Sequence, residues 1–162
     1  MDKLKFLADT MLGSLAKKLR LIGIDTAYIS DPDNSELKYL VRSQSRVLLT
    51  RDLDLAKSLA DLAWSVKGGN LREEYISINE KLKPFHDQFK PFSRCLDCND
   101  PLQSMEPAEA AGKVPPFIYQ SRKTFSLCPS CGKVFWEGTH RERMEGEVQW
   151  MRGVLQGEGR LE

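Results

Sequence analysis

The sequence predicts an α/β protein: a parallel sheet flanked by helices, with a small cysteine-stapled module appended. Three observations carry this. Short apolar runs without polar alternation recur through the first 83 residues, separated by stretches of helical periodicity. One run, Val47-Leu-Leu-Thr50, breaks off into Arg51-Asp52-Leu-Asp54, a polar turn of the kind that opens a helix. The four cysteines all fall in the second half, as two Cys-x-x-Cys pairs.

In order, residues 4–8 read as a first strand ending at Asp9. Leu12, Leu15, Ala16, Leu19 and Ile22 then share one helical face, and Gly23 is a natural stop. Thr26–Ile29 is a second strand. A Ser-Asp-Pro-Asp-Asn turn opens a helix whose apolar face is Leu37, Leu40 and Val41. Arg46–Leu49 is the third strand, Asp52–Ala60 a third helix, and Ala63–Val66 a short fourth strand. Asn70–Leu82 carries Leu71, Tyr75, Ile78 and Leu82 at helical spacing, with Asn70 and Glu73 as a cap pair; Tyr75–Ile78 also fits an extended segment. This alternation implies a parallel sheet with right-handed crossovers.

The expected divisions are an α/β domain over 1–83, a linker over 84–93 punctuated by Pro84 and Pro91, a cysteine module over 94–144, and a tail over 145–162. Glu106–Pro116, rich in Ala, Gly and Pro, reads as a mobile loop. In the tail, Met144, Val148, Met151 and Leu155 line up as a helix, while Gly153, Gly157 and Gly159 argue for fraying and for no fixed structure at the very end.

The 162 residues suit one domain plus a module, and the charged fraction of 29% is that of a globular chain. No apolar run approaches the roughly 18–20 residues that span a bilayer, and Met-Asp-Lys-Leu-Lys lacks a signal-peptide core, so no membrane role and a cytoplasmic location are expected. Net charge is +1, with +2 over residues 1–90 and −1 over 91–162, so any contact with a polyanion rests on a local patch.

In such a repeat every strand-to-helix turn lies on one edge of the sheet, where open α/β folds keep their working residues. Asp9, Glu36 and the pair Asp52/Asp54 follow strands one, two and three. Several acids without His or Cys suit Mg²⁺ or Mn²⁺, hard ions that take oxygen ligands and activate water for phosphodiester hydrolysis. A plainer reading stands beside this. Asp9 and Asp52 suit helix N-caps, Asp54 a first-turn acid, and Asp33 with Glu36 a capping box.

Cys95-x-x-Cys98 and Cys128-x-x-Cys131 have the spacing of a structural four-cysteine Zn²⁺ site; redox or buried free thiols do not explain the duplication. A ribbon this small depends on its metal for stability. Phe135 and Trp136 are expected to cover one of its faces and pack on the first domain.

Phe6-Leu-Ala-Asp9-x-Met-Leu-Gly-x-Leu-Ala-Lys-x-Leu-Arg20-x-x-Gly23, then Leu48-Leu-Thr-Arg-Asp52-x-Asp-Leu, then the cysteine pairs ending in Cys128-Pro-x-Cys-Gly-Lys-Val-Phe-Trp136-x-Gly-Thr-His140, resemble the PIN-like ribonuclease domain first described at the C-terminus of the Mut-seven exonuclease. The resemblance runs from about residue 5 to Met144. It implies a PIN-like α/β domain with a zinc ribbon, RNA, single-stranded or structured, as substrate and partner, and Mg²⁺- or Mn²⁺-dependent cleavage. By similarity Asp9, Glu36, Asp52 and Asp54 match the acidic set, Asp9 and Asp52 most closely; Asp31 and Asp33 compete for the role of Glu36.

Thr10, Thr50 and Arg51 are placed to bond carboxylate or phosphate, and Lys17, Lys18 and Arg20 form a basic run that is either a solvated helix face or an RNA contact. His140 is either a phosphate contact at a hairpin end or a structural histidine. Two rivals to a nuclease are a non-catalytic RNA- or ribosome-associated module of the same fold, and a receiver-type phosphoacceptor. The latter wants paired acids after the first strand, where Asp9 stands alone. The sequence leaves the oligomeric state open, a homodimer included.

Overall fold

The computed structural model describes residues 2–157; residues 158–162, where no fixed structure is expected, lie outside the described residues. Four parallel strands stand in the order β2-β1-β3-β4, formed by β1 (Lys5–Ala8), β2 (Asp25–Tyr28), β3 (Val47–Thr50) and β4 (Ala63–Ser65). Phe6, Ala8, Leu49 and Trp64 face a layer containing α1 (Gly13–Leu21) and α4 (Leu71–Ser77). Leu7, Leu48 and Ala63 face the opposite layer, made by α2 (Asn34–Ser43) and α3 (Leu53–Leu59). Burial on both faces explains the apolar runs without alternation. The expected fourth helix is broken after Ser77, and a short α5 (Asn79–Leu82) follows.

Gly23 ends α1 at φ +89°, with its N–H on the Arg20 carbonyl and that of Ile24 on the Leu19 carbonyl. The connector then closes on this end. Lys90 and Phe92 donate their N–H groups to the carbonyls of Ile22 and Leu21, 2.8 and 3.1 Å away. A Cβ at residue 23 would lie 2.3 Å from the Lys90 carbonyl oxygen, so the joint admits only glycine.

The cysteine module is an antiparallel sheet of β5 (Gln103–Met105), β6 (Phe125–Leu127) and β7 (Val134–Trp136). The segment read as a mobile loop builds its core instead. A 3₁₀ turn over Pro107–Ala110 and α6 (Pro116–Ser121) bury Ala110, Val114 and Ile118 against Met105 and Phe125. Its Ala- and Pro-rich composition concealed this, because small residues pack without an evident apolar stripe.

The tail forms the expected helix without the fraying that Gly153 argued for: α7 (Thr139–Leu155) starts before the tail, runs through Gly146 and Gly153 and stops before Gly157 at φ +81°. Val148, Met151, Val154 and Leu155 are buried in the first domain's core beside Tyr75, Ile78 and Leu82, and the Tyr75 hydroxyl donates to the Met151 carbonyl at 3.0 Å. Each glycine costs a helix about 1 kcal/mol, less than the roughly 1.5–3 kcal/mol gained per buried large apolar side chain.

At the amino ends of the strands, Asp25 accepts hydrogen bonds from Arg46 Nη1 and Asn99 Nδ2, each at 2.7 Å. Burial alone would raise its carboxyl pKa; the Arg46 and Asn99 bonds, with the charges of Arg46 and Arg94, outweigh that and hold it below the usual range. A lowered folded pKa contributes stability above the unfolded value near 4 and loses it as pH falls through the folded value. Asp25→Asn is therefore expected to lower unfolding free energy by about 2 kcal/mol at neutral pH. Denaturant titrations should show a constant gap from pH 7 to 5 that closes below about pH 4; a gap unchanged by acidification would count against the carboxylate's role.

Candidate active site and metal centre

The strand order reverses direction between β1 and β3, and the crevice past their carboxyl ends is where an open α/β sheet binds ligands. Asp9 and Asp52 flank that point. The Asp9 N–H bonds the Leu49 carbonyl at 3.1 Å, extending the β1–β3 pairing to the site. The fully buried Thr50 links the two acids: its hydroxyl donates to Asp9 Oδ2 at 2.9 Å and accepts from the Asp52 N–H at 3.1 Å.

The capping roles are present as well. Asp9 Oδ1 accepts from Thr10 N–H at 2.7 Å and Asp52 Oδ1 from Leu55 N–H at 3.1 Å. Asp33, not Glu36, caps α2, accepting from the Glu36 N–H at 2.8 Å. An ionised carboxylate has about four lone-pair sites, so one capping bond leaves capacity for a cation. Asp54 and Glu36 are exposed in the first turns of α3 and α2, on the same side of the sheet.

These acids do not form a closed cage. Among the described residues, the four cysteines are the one group of three or more His, Cys, Asp or Glu ligand atoms lying within 4.8 Å of one another. Oxygen-only donors at open spacing still fit Mg²⁺, which keeps several waters and takes one or two carboxylates from the protein.

Arg51 is exposed and close enough to Glu74, in the first turn of α4, for its charge to act there: burial raises the Glu74 carboxyl pKa and Arg51 partly opposes this. Glu74 escaped the sequence reading, although the edge rule that selects Asp9 and Asp52 applies equally after β4. Thr10 is occupied. Its Oγ1 accepts from Asp31 N–H at 2.9 Å and its carbonyl from the Tyr28 hydroxyl at 2.8 Å, which ties the β2–α2 loop to the Asp9 turn.

The basic run on α1 is spent largely on internal ties. Arg20 is a correction to the expected RNA contact: it is buried, with Nε on the Thr26 carbonyl at 2.9 Å and Nη1 on the Leu96 carbonyl at 2.6 Å. A guanidinium among carbonyls that only the folded chain brings together fixes the ribbon to the sheet. Lys18 pairs with Glu147 at 3.6 Å, while the more exposed Lys17 pairs with Asp97 at 3.4 Å. His140 is exposed in the first turn of α7.

The cysteines are built by two matching knuckles. In each, the first cysteine's N–H bonds a carbonyl five residues on, and its own carbonyl receives the N–H four residues on: Cys95 with Asp100 and Asn99, Cys128 with Lys133 and Gly132. Asn99 and Gly132 take the same left-handed position, at φ +69° and +77°. Asn99 also turns its side chain to Asp25 and to the Thr26 N–H, docking one knuckle on β2. Tetrahedral Zn–S bonds of about 2.3 Å put sulfurs about 3.8 Å apart; Cys95 Sγ and Cys131 Sγ are 3.9 Å apart. Burial raises the Cys95 thiol and the hydrogen bond with Cys131 raises Cys98; at Cys128 burial is outweighed by the backbone N–H groups of Cys131 and Ser130 and by neighbouring thiols, which bring that one thiol down to about 7, towards the thiolate a metal needs. The donor set and spacing fit structural zinc, and four protein ligands leave no position for substrate.

The family model of the Mut7-C RNase domain matches residues 4–148, from the start of β1 into α7. The chain belongs to the Mut7-C RNase-domain family. No curated protein and no solved structure gives a match. No helix among the described residues of this Mut7-C domain is long and apolar enough to cross a membrane.

Proposed function

We propose that this Mut7-C domain is a metal-dependent ribonuclease cutting RNA phosphodiester bonds at the β1–β3 crevice. The observation carrying this reading is the Asp9–Thr50–Asp52 linkage at the switch point of a domain in an RNase family. Asp9 and Asp52 hold the cation, with Asp54 and Glu36 as outer acids, and Thr50 fixes the free oxygen of Asp9. A Mg²⁺ or Mn²⁺ ion bound there would supply an activated water and stabilise the leaving oxygen. Arg51 is exposed beside the crevice to meet a phosphate. The zinc ribbon is structural, and beside it Lys17 of α1 and His140 at the start of α7 add RNA contacts, with Lys18 at the margin. Unpaired thiols in knuckle geometry suit the reducing cytoplasm.

The test is cleavage of end-labelled RNA across a series of divalent cations. Cutting with Mn²⁺ or Mg²⁺ and none without them is the expected result. The open spacing of the acids favours a second reading, a non-catalytic RNA- or ribosome-associated module. Salt-sensitive RNA binding with no cleavage by any cation would establish it.

Thr50→Val keeps the shape of a buried residue and removes the hydroxyl that orients Asp9. We expect a 10- to 100-fold loss of cleavage, of the order seen when outer-shell partners of a metal site are removed. More Mn²⁺ should be needed for half-maximal rate, and Thr50→Ser should restore both. A parental Mn²⁺ requirement in Thr50→Val would assign Thr50 to the fold alone.

A further inference from the structure

Away from the carboxylates, the ribbon leans over α1 and the start of α7 and encloses a cavity of about 470 Å³, within the usual 300–1,000 Å³ of a ligand pocket. Its walls follow from the period-two geometry of the ribbon sheet. Met105, Phe125 and Trp136 are in register and turn to the ribbon's own core. Ser104, Ser126 and Phe135, one step along, turn the other way. Phe135 was expected to pack on the first domain; among the described residues it lies half-buried outside all three apolar clusters, at the cavity wall with Ser126. Also lining the cavity, the Arg141 guanidinium lies 4.4 Å over the Phe92 ring.

Four cations and two carboxylates line the space: Lys17, Arg94, Lys133 and Arg141 against Asp97 and Glu137. Asp97 is shared by Lys17 and Lys133, so two ammonium groups have one carboxylate between them. Such exposed pairs are worth little and open readily to a better anion. A second hollow, lined by Gly13, Ser14 and Tyr28, shares Lys17 and Asp97 with the first. Lys17 is one helical turn past Gly13, about 6 Å along the axis, and Tyr28 holds the turn that carries Asp9 through the Thr10 carbonyl. The two hollows thus adjoin at Lys17 and Asp97 as one track from Phe135 to Tyr28, whose hydroxyl bonds the residue next to Asp9.

We propose that this track selects single-stranded RNA: an unstacked base lies on Phe135 with its edge to Ser126, and the adjoining phosphate lies between Lys17 and Lys133. An aromatic ring for stacking, hydroxyls for a base edge and an excess of cations are what a single strand offers contacts for, and a duplex keeps its bases out of reach. This rests on RNA being the ligand, and it names the form of RNA bound.

The test measures binding, not cleavage. A fluorescent eight-nucleotide single-stranded RNA and a blunt duplex of the same sequence are titrated with the zinc-loaded full chain, without added Mg²⁺ or Mn²⁺. We expect the single strand to bind at least about tenfold more tightly, with Phe135→Ala losing about tenfold and Phe135→Tyr retaining the parental affinity. Zinc content checks the ribbon. If Phe135→Ala fails to retain zinc, exposed Lys133→Ala decides in its place, weakened single-strand binding supporting the track and parental binding overturning it. Equal binding of the two RNAs, or a zinc-loaded Phe135→Ala binding as the parent does, overturns it as well. So does light scattering that shows the cleft closed by a second copy of the chain. The two readings fail separately. Phe135-dependent binding without cleavage under any cation sinks the nuclease alone, and cleavage with binding indifferent to Phe135 sinks the track alone.

Discussion

Asp9→Asn is expected to lower metal-dependent RNA cleavage by at least about 100-fold, more than the 10- to 100-fold typical of outer-shell losses at metal sites. The choice of asparagine makes the result decisive. Asparagine caps a helix as well as aspartate does, so the bond to Thr10 N–H survives and the fold should keep its parental melting temperature. What goes is the charged oxygen that faces Thr50, replaced by an amide NH2 that donates to the Thr50 hydroxyl instead of accepting from it. If Asp9 only caps, the variant cuts RNA as the parent does; if it holds a cation, activity falls to the level of a mock preparation. Asp52→Asn makes the same distinction at the α3 cap, where Leu55 N–H is the bonded group. Equal rates in parent and both variants, prepared side by side, would remove these acids from catalysis and expose any contaminating nuclease.

Loss of zinc should produce the largest change in stability. Structural zinc sites bind with about 10–16 kcal/mol in small peptides, and that binding energy is folding energy. Cys95→Ser removes a buried ligand and is expected to cost about 5 kcal/mol or more. A domain this size moves about 2–4 °C in melting temperature per kcal/mol, so the drop should be about 10–20 °C. The damage should spread beyond the ribbon. Arg20 and Asn99 tie the first knuckle to β2, and Arg94 holds both the Gly23 and the Asn99 carbonyls. With the knuckle loose, Arg20 is left buried with fewer partners, a costly state for a charge. Zinc content and thermal melts with and without a chelator check this. A zinc-free parent melting at the same temperature as the zinc-loaded protein would refute it.

The parts of the molecule that were legible in the sequence depend on local rules. Phe6–Ala8 and Val47–Leu49 are unalternated because both their faces are covered, and Gly23, Asp33 and Asn70 end or begin helices through groups within a few residues of themselves. The hidden parts depend on distant partners. Gly146 and Gly153 weaken α7 on any local scale, and its true support, Tyr75 and Leu82, lies some seventy residues upstream. Arg20 looked like surface because arginine usually is; the carbonyls of Leu96 and Asp97 that receive it are absent from any local window. The candidate site was half legible. Topology placed Asp9 and Asp52 on one edge, but capping and metal binding ask for the same residue types. Only the Thr50 hydroxyl, between the two, separates an arranged pair from two unrelated helix starts.

The return of α7 to the first domain has a consequence for how the chain is made. The layer over Tyr75, Ile78 and Leu82 comes from residues 148–155, which are synthesised only after the ribbon. A nascent chain that has completed all four parallel strands still presents that apolar face uncovered while the whole ribbon emerges behind it. Chains halted before Thr139 should therefore be sticky and prone to capture by chaperones, however complete their sheet.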